Sequence, residues 1–339
     1  MSPSAMPLEY EVDSSIDSSI DSSIAPLRKT LSSESAPLAA RFRALFSLKH
    51  IASQTPPTPS TTSAIESIAA AFTSPSALLK HELAYCLGQS GKNEAKPFLR
   101  EVVMDRQEDS MCRHEAAEAL GALEDEGSLE LLRERRDDAG EEEVVRETCE
   151  IAVGRIEWCC SEEGRREKLK KSDFASIDPA PPLAHTDTAP SIPDYEHTLL
   201  DTSLPLFQRY RAMFALRDLA SPPDLPTAVP AVQALARGFS DPSALFRHEI
   251  AFVFGQLSHP ASIPSLTEVL GNTKEASMVR HEAAEALGSL GDEEGVEDTL
   301  RRFLNDPEQV VSDSIVVALD MAAYERSGQA EYATVPIAV

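Results

Sequence analysis

Positive charge is scarce in this chain of 339 residues: 31 Lys and Arg stand against 56 Asp and Glu, a net charge of −25. A field of that sign repels phosphate backbones, so no nucleic-acid binding is expected; a basic partner would be drawn in instead. Aromatic residues are only 6% of the chain, while Ala, Leu and Glu dominate, a balance that favours helix. The cysteines (Cys86, Cys112, Cys149, Cys159 and Cys160) are odd in number and show no Cys-x-x-Cys spacing. That argues against a thiolate zinc or redox site, and free thiols suit a reducing compartment. No apolar run reaches the roughly 18 residues of a membrane span. The N-terminus lacks the positive start and apolar stretch of a secretory signal. The expectation is a cytoplasmic protein, with the nucleus as a second compartment, and no membrane partner. Gly-rich phosphate loops, nucleophile elbows and nucleotide motifs are absent. Hydrophobic residues nevertheless make up 42%, enough for a core, which excludes wholesale disorder.

What the chain does contain is repetition. Residues 74–89 match 241–256 at nine of sixteen positions, and 110–123 match 277–290 at twelve of fourteen, both at an offset of 167. Arg43-Ala-Leu-Phe46 and Arg211-Ala-Met-Phe214 form a weaker pair at 168. Within each half, His81 to His114 and His248 to His281 are both 33 residues. A period in the thirties with an Ala/Leu helical pattern indicates stacked helix pairs. The expected fold is an all-α solenoid of about eight helix-pair repeats in two pseudo-symmetric halves. Residues 1–25, with Asp-Ser-Ser-Ile three times, read as a disordered tail. Residues 26–160 form the N-terminal half, 161–193 a linker, 194–325 the C-terminal half and 326–339 a C-terminal tail. A further break at 52–63 is rich in Pro, Ser and Thr. Ser74-Pro75 and Asp241-Pro242 place a capping side chain before a proline, as at a helix start.

Four of the eight histidines share one repeat phase, and each is followed by Glu: His81-Glu82, His114-Glu115, His248-Glu249 and His281-Glu282. A duplicated packing consensus explains the Ala-Ala-Glu-Ala-Leu-Gly that follows two of them. It explains two polar residues in a row less well, because a buried imidazole without a partner is costly. The outermost repeats carry Arg43 and Arg211 in comparable stretches, so the pairs are confined to the middle repeats. A ligand role is favoured over a structural one. Ala84, Ala117, Ala251 and Ala284 lie three residues after each His, and Gly88, Gly121, Gly255 and Gly288 seven after. This stripe of small residues permits either room for a ligand or close helix stacking.

Adjacent residues point about 100° apart on a helix, so one His-Glu pair does not close around an ion by itself. Neighbouring repeats must contribute. Four carboxylates balance two divalent ions, and two His with one carboxylate suit Fe(II), although zinc accepts the same donors. Metal should then stabilise the fold as well. Cys86 and Cys112 correspond to Val253 and Val279, so they read as core residues. Met111 and Met278 match across the halves and read as core, with a place in the site wall as the other reading. His50, His185, His197 and His259 have no partner in phase and read as surface or capping residues.

At these residues the chain strongly resembles deoxyhypusine hydroxylase, a HEAT-repeat di-iron monooxygenase with four His-Glu pairs. The resemblance covers about residues 26–325. It rests on His81-Glu82, Arg113-His114-Glu115-Ala-Ala-Glu-Ala-Leu-Gly121, Arg247-His248-Glu249, Met278-Val-Arg-His281-Glu282 and the linker Ser176-Ile-Asp-Pro-Ala-Pro-Pro182. Val310–Leu319 departs from the family pattern that Val144–Cys149 keeps. The resemblance implies two Fe(2+) per chain, O2 as co-substrate, and a eukaryotic translation factor carrying deoxyhypusine, a lysine extended by an aminobutyl group. It implies one iron on His81, His114 and Glu115 and the other on His248, His281 and Glu282. Glu82 and Glu249 are either further ligands or partners of the substrate amines, the second being preferred. The alternatives are a non-catalytic HEAT-repeat adaptor and a metal-dependent hydrolase.

Overall fold

The computed structural model describes residues 24–167, 169, 173–183 and 191–327. Among them all regular structure is helical, and the helices come in eight successive pairs. The first four are α1 (Ile24–Leu31) with α2 (Leu38–Ala52), α3 (Pro59–Ala69) with α4 (Ala77–Gln89), α5 (Lys96–Met104) with α6 (Ser110–Ala122), and α7 (Leu129–Asp137) with α8 (Glu143–Cys160). A short α9 (Glu162–Arg166) follows. The second four are α10 (Ile192–Leu200) with α11 (Leu206–Ala220), α12 (Ala228–Ala236) with α13 (Ala244–Leu257), α14 (Ile263–Gly271) with α15 (Ser277–Gly288), and α16 (Val296–Arg301) with α17 (Gln309–Ser327). None of the described helices is long and apolar enough to cross a membrane. The Asp-Ser-Ser-Ile tail to residue 23 and the segment beyond 327 lie outside the described residues. Helix begins earlier than the first boundary, at Ile24, and α9 falls within the linker range.

The second helix of each pair forms an inner layer, in which α4 stacks on α6, α6 on α8, α13 on α15 and α15 on α17. The small-residue stripe serves this stacking. A Cβ on Gly88 would lie 2.7 Å from the Ala119 Cβ, one on Gly121 2.9 Å from the Ala152 Cα, and one on Gly288 2.9 Å from the Ala318 Cα. Gly255 is looser, at 3.4 Å from the Ala286 Cα.

The inner helix starts differ slightly from the sequence expectation. Ser76 and Ser243 are the caps, accepting from the Leu79 and Phe246 N–H groups at 3.2 and 3.0 Å. Ser74 and Asp241 sit two residues earlier. There they receive the guanidinium groups of Arg41 and Arg209 from the preceding inner helix. The residue before each His makes a comparable link forward. Arg113 pairs with Glu141 at 2.5 Å, Arg247 with Glu275 at 2.6 Å, Arg280 with Asp306 at 2.5 Å, and Lys80 with Glu108. Because the next residue points about 100° further round, clamping the cation to the following repeat turns the His inward. Removing one partner of a buried pair such as Arg113–Glu141 costs about 3–5 kcal/mol.

The solenoid closes on itself. At one junction α8 meets α11 and α13; at the other, α17 meets α2 and α4. Arg43 reaches across 277 residues to Asp320, with contacts of 2.5 and 2.7 Å. Each half lends the last of its inner helices to the other's core: Ile151 of α8 packs in the C-terminal core and Val317 of α17 in the N-terminal one. The two halves therefore face each other around one centre.

Candidate metal centre

All four His-Glu pairs converge at that centre. The His81 ring centroid lies 5.3 Å from that of His114, 5.8 Å from His248 and 5.2 Å from His281. His248 is 5.4 Å from both His114 and His281. His114 and His281 have no exposed surface, and His81 and His248 retain only 3% and 4%. Neither nitrogen of His114, His248 or His281 has a hydrogen-bond partner among the described residues, nor does Nε2 of His81 or Oε1 of Glu249. Buried imidazole nitrogens left without a hydrogen-bond partner each forfeit about 1–3 kcal/mol. Neutral imidazole and carboxylate are the donor set of divalent transition metals, so the residues present fit a metal.

Two groupings bring together residues of the expected ligand sets, and two others were not foreseen. His81, His114 and Glu115 place donor atoms within 4.8 Å of one another. The Glu282 Oε2 faces both His248 and His281, at 3.3 and 4.0 Å. A third group, His81 with His248 and His281, crosses between the halves. Glu82 folds back on its own histidine, 3.3 Å from Nδ1, although the helical angle between neighbours suggested otherwise.

Glu285 was missed. It lies 3.6 Å from His281, accepts a hydrogen bond from Ser314 at 3.3 Å, and forms a donor group with His281 and Glu282. Its counterpart Glu118 also lines the cavity. The signal was the second Glu of His-Glu-Ala-Ala-Glu, one turn on from each His and hence on the same face. Cys86 and Cys112 are buried in the core, and burial pushes both thiols up, away from the thiolate that binds metal. Met111 lies in the N-terminal core and Met278 packs against the C-terminal one. His50 and His197 are exposed. His259 caps a helical turn by accepting from the Ala261 N–H at 3.1 Å, and His185 lies outside the described residues.

The electrostatics follow from crowding carboxylates and imidazoles in one interior. Burial opposes charge on His81, but Glu115 and then Glu82 outweigh it and hold its pKa well above the ordinary value. A protonated His81 thus balances part of the carboxylate charge. Burial, and then the other imidazoles, hold His114 and His281 well below the ordinary value. Burial, reinforced by neighbouring carboxylates, lifts Glu118, Glu249 and Glu285 well above theirs. A cavity of about 170 Å³ adjoins the cluster, walled by Glu82, Glu115, Glu249, Glu282 and Glu285 and by Phe42, Phe46, Tyr85, Phe252 and Met321. Its acidic and aromatic lining suits a long cationic side chain.

A family model for HEAT repeats matches residues 65–154 and 229–320. The chain is 75% identical to the deoxyhypusine hydroxylase of Phaeosphaeria nodorum over 92% of this chain and 95% of that protein. It is 69% identical to that of Neosartorya fischeri over 99% and 98%. The solved structure of human deoxyhypusine hydroxylase in complex with glycerol superposes with a TM-score of 0.78 at 42% identity, over 89% of this chain and 96% of that one. By fold, by the convergence of its four His-Glu pairs and by these likenesses, the chain belongs to the deoxyhypusine hydroxylase family.

Proposed function

We propose that this chain hydroxylates the deoxyhypusine side chain of a translation factor to hypusine, with O2, at two Fe(2+) ions. The carrying observation is the set of four buried imidazoles, seven of whose eight nitrogens find no hydrogen-bond partner among the described residues, ringed by carboxylates. His81, His114 and Glu115 would hold one ion, and His248, His281 and Glu282 the other. Bound iron would supply the redox chemistry that O2 insertion into an unactivated C–H bond requires. The protein's part is placement. Repeat-to-repeat clamps aim the imidazoles, and burial keeps His114 and His281 neutral enough to donate. Glu82 and Glu249 are assigned to the substrate ammonium groups, which need anionic partners in a low-dielectric cavity. Phe46, Tyr85 and Phe252 exclude water around the aliphatic stem.

The test is turnover of a deoxyhypusine-bearing protein together with metal analysis. About two irons per chain with O2-dependent product is expected. The His81→Ala and His281→Ala variants should lose both iron and product. A zinc-loaded, O2-independent activity would replace this reading with a hydrolase, and a protein that binds partners with no metal would replace it with an adaptor.

A further inference from the structure

A ring with pseudo-two-fold symmetry has two quasi-equivalent clefts leading to its centre, one at each junction of the halves. The stacking contacts fix the correspondence. Gly121 on Ala152 repeats as Gly288 on Ala318, so α8 and α17 match at an offset of 166. The Arg43 and Arg211 stretches match α2 to α11 at 168. Val317, Met321, Phe42 and Phe46 line the open cavity at the α17–α2 junction. Their counterparts are Ile151, Arg155, Tyr210 and Phe214 at the α8–α11 junction, and none of these lines it.

The segment that joins the halves packs at that second junction. Ala180 is fully buried in the same core cluster as Ile151, Tyr210 and Phe214. The Arg155 Nη1 donates to the Asp178 carbonyl at 2.6 Å. Gln89 grips the Ile177 backbone at both ends, donating at 3.0 Å and accepting at 2.7 Å. Its repeat partner Gln256 donates to the Ser176 Oγ at 2.7 Å. The basic residues divide in the same way. Lys49 lies over Phe46 and Tyr85 at the open cleft, 5.1 and 5.4 Å from the ring centroids. Its counterpart Arg217 is fully buried, donates to the Asp178 Oδ1 at 2.8 Å and stacks on Phe174. Arg43 clamps Asp320, whereas Arg211 donates to the carbonyls of Pro181 and Pro182 at 3.1 and 3.3 Å.

We infer that residues 173–183 are an internal plug. They fill one of two quasi-equivalent clefts, so that a substrate side chain reaches the His-Glu cluster only between Phe46, Tyr85, Phe252 and Met321. The inference rests on the proposed function in taking that side chain to be deoxyhypusine. A long side chain inserted from the opposite cleft would run through the cluster in the reverse sense and offer it from the other face. Blocking one cleft gives a nearly symmetric centre a single direction of approach.

The test uses the iron-loaded full-length protein with Cys159 and Cys160 changed to Ser. The Met321→Cys and Arg155→Cys variants, at corresponding positions of the two clefts, are alkylated with a bulky maleimide, with and without a deoxyhypusine-bearing peptide. The Met321→Cys thiol should react at least tenfold faster. The peptide should protect it by a similar factor, and the label should abolish turnover. Peptide protection at Arg155→Cys rather than Met321→Cys would overturn the inference, as would full turnover by the labelled Met321→Cys variant. Turnover by the unlabelled Cys159→Ser, Cys160→Ser parent separates the two readings. Its absence rejects the proposed activity and the inference with it, whereas normal turnover with the wrong pattern of protection rejects the direction of approach alone.

Discussion

Replacing His114 with Leu should stabilise the metal-free chain while spoiling the metal site. His114 has no exposed surface, and neither ring nitrogen finds a partner among the described residues. A buried unsatisfied donor and acceptor together cost about 2–6 kcal/mol. Against this stand the ring contacts with His81 and His248, at 5.3 and 5.4 Å between centroids, each worth about 0.5–1.5 kcal/mol. Leucine recovers part of them through its own packing. The balance is a gain of about 2 kcal/mol for the metal-free variant, or about 3 °C in Tm for a chain of this size. Fe(II) should reverse the order, because binding to the folded state stabilises wild type by mass action and the variant lacks a ligand. The assay is thermal unfolding of both proteins at pH 7, stripped with chelator and then titrated anaerobically with Fe(II), with bound iron quantified. If the metal-free His114→Leu variant melts at or below metal-free wild type, the imidazoles are not strained and the orphaned-donor reasoning fails.

Three further outcomes are expected. Glu115→Ala and Glu282→Ala should lose most bound iron, while Glu82→Ala and Glu249→Ala keep it but weaken substrate binding at least tenfold; equal iron loss in all four would refute that division. The metal-free chain should lose stability between about pH 6.5 and 8. Across that window the raised pKa values of His81, Glu118, Glu249 and Glu285 leave the folded state binding more protons than the unfolded one. Below about pH 6.5 the lowered values of His114 and His281 pull the other way; a chemical-denaturation series showing stability rising from pH 6.5 to 8 would contradict this. Finally, Gly288→Ala should cost about 1–3 kcal/mol by overpacking against Ala318. Gly255→Ala, whose Cβ has 3.4 Å of clearance, should cost less than about 1 kcal/mol, and urea melts that rank the two oppositely would show that stacking distance does not set the cost.

Much of the centre was legible because duplication writes it twice. The offset of 167 exposes the His-Glu pairs against a varied background, and the period of 33 gives the helix-pair solenoid. The dismissal of Cys86 and Cys112 followed from their Val counterparts. Other features were ambiguous locally. Ser74 and Asp241 have the chemistry of caps, yet they bind the arginine of the preceding inner helix while Ser76 and Ser243 cap. The small-residue stripe allowed a cavity or close stacking. A methyl group on Gly88, Gly121 or Gly288 would lie less than 3 Å from the neighbouring inner helix, which decides for stacking. Glu118 and Glu285 passed for part of the duplicated packing consensus, because Glu one turn along a helix is common.

The sequence by itself determined the repeat, the chemistry available at each repeat and the charge that chemistry must balance, because these are properties of residue type and periodicity. Only the tertiary structure decided which repeats face one another. Ring closure brings Arg43 to Asp320 and joins His81 with His248 and His281 across the halves. It also decided that a pseudo-symmetric centre has one open side. The segment 173–183 has no counterpart in the repeat, so no internal comparison reveals where it lies. Its position is set by long-range partners, Gln89, Arg155, Arg211, Arg217 and Gln256, that local sequence does not pair.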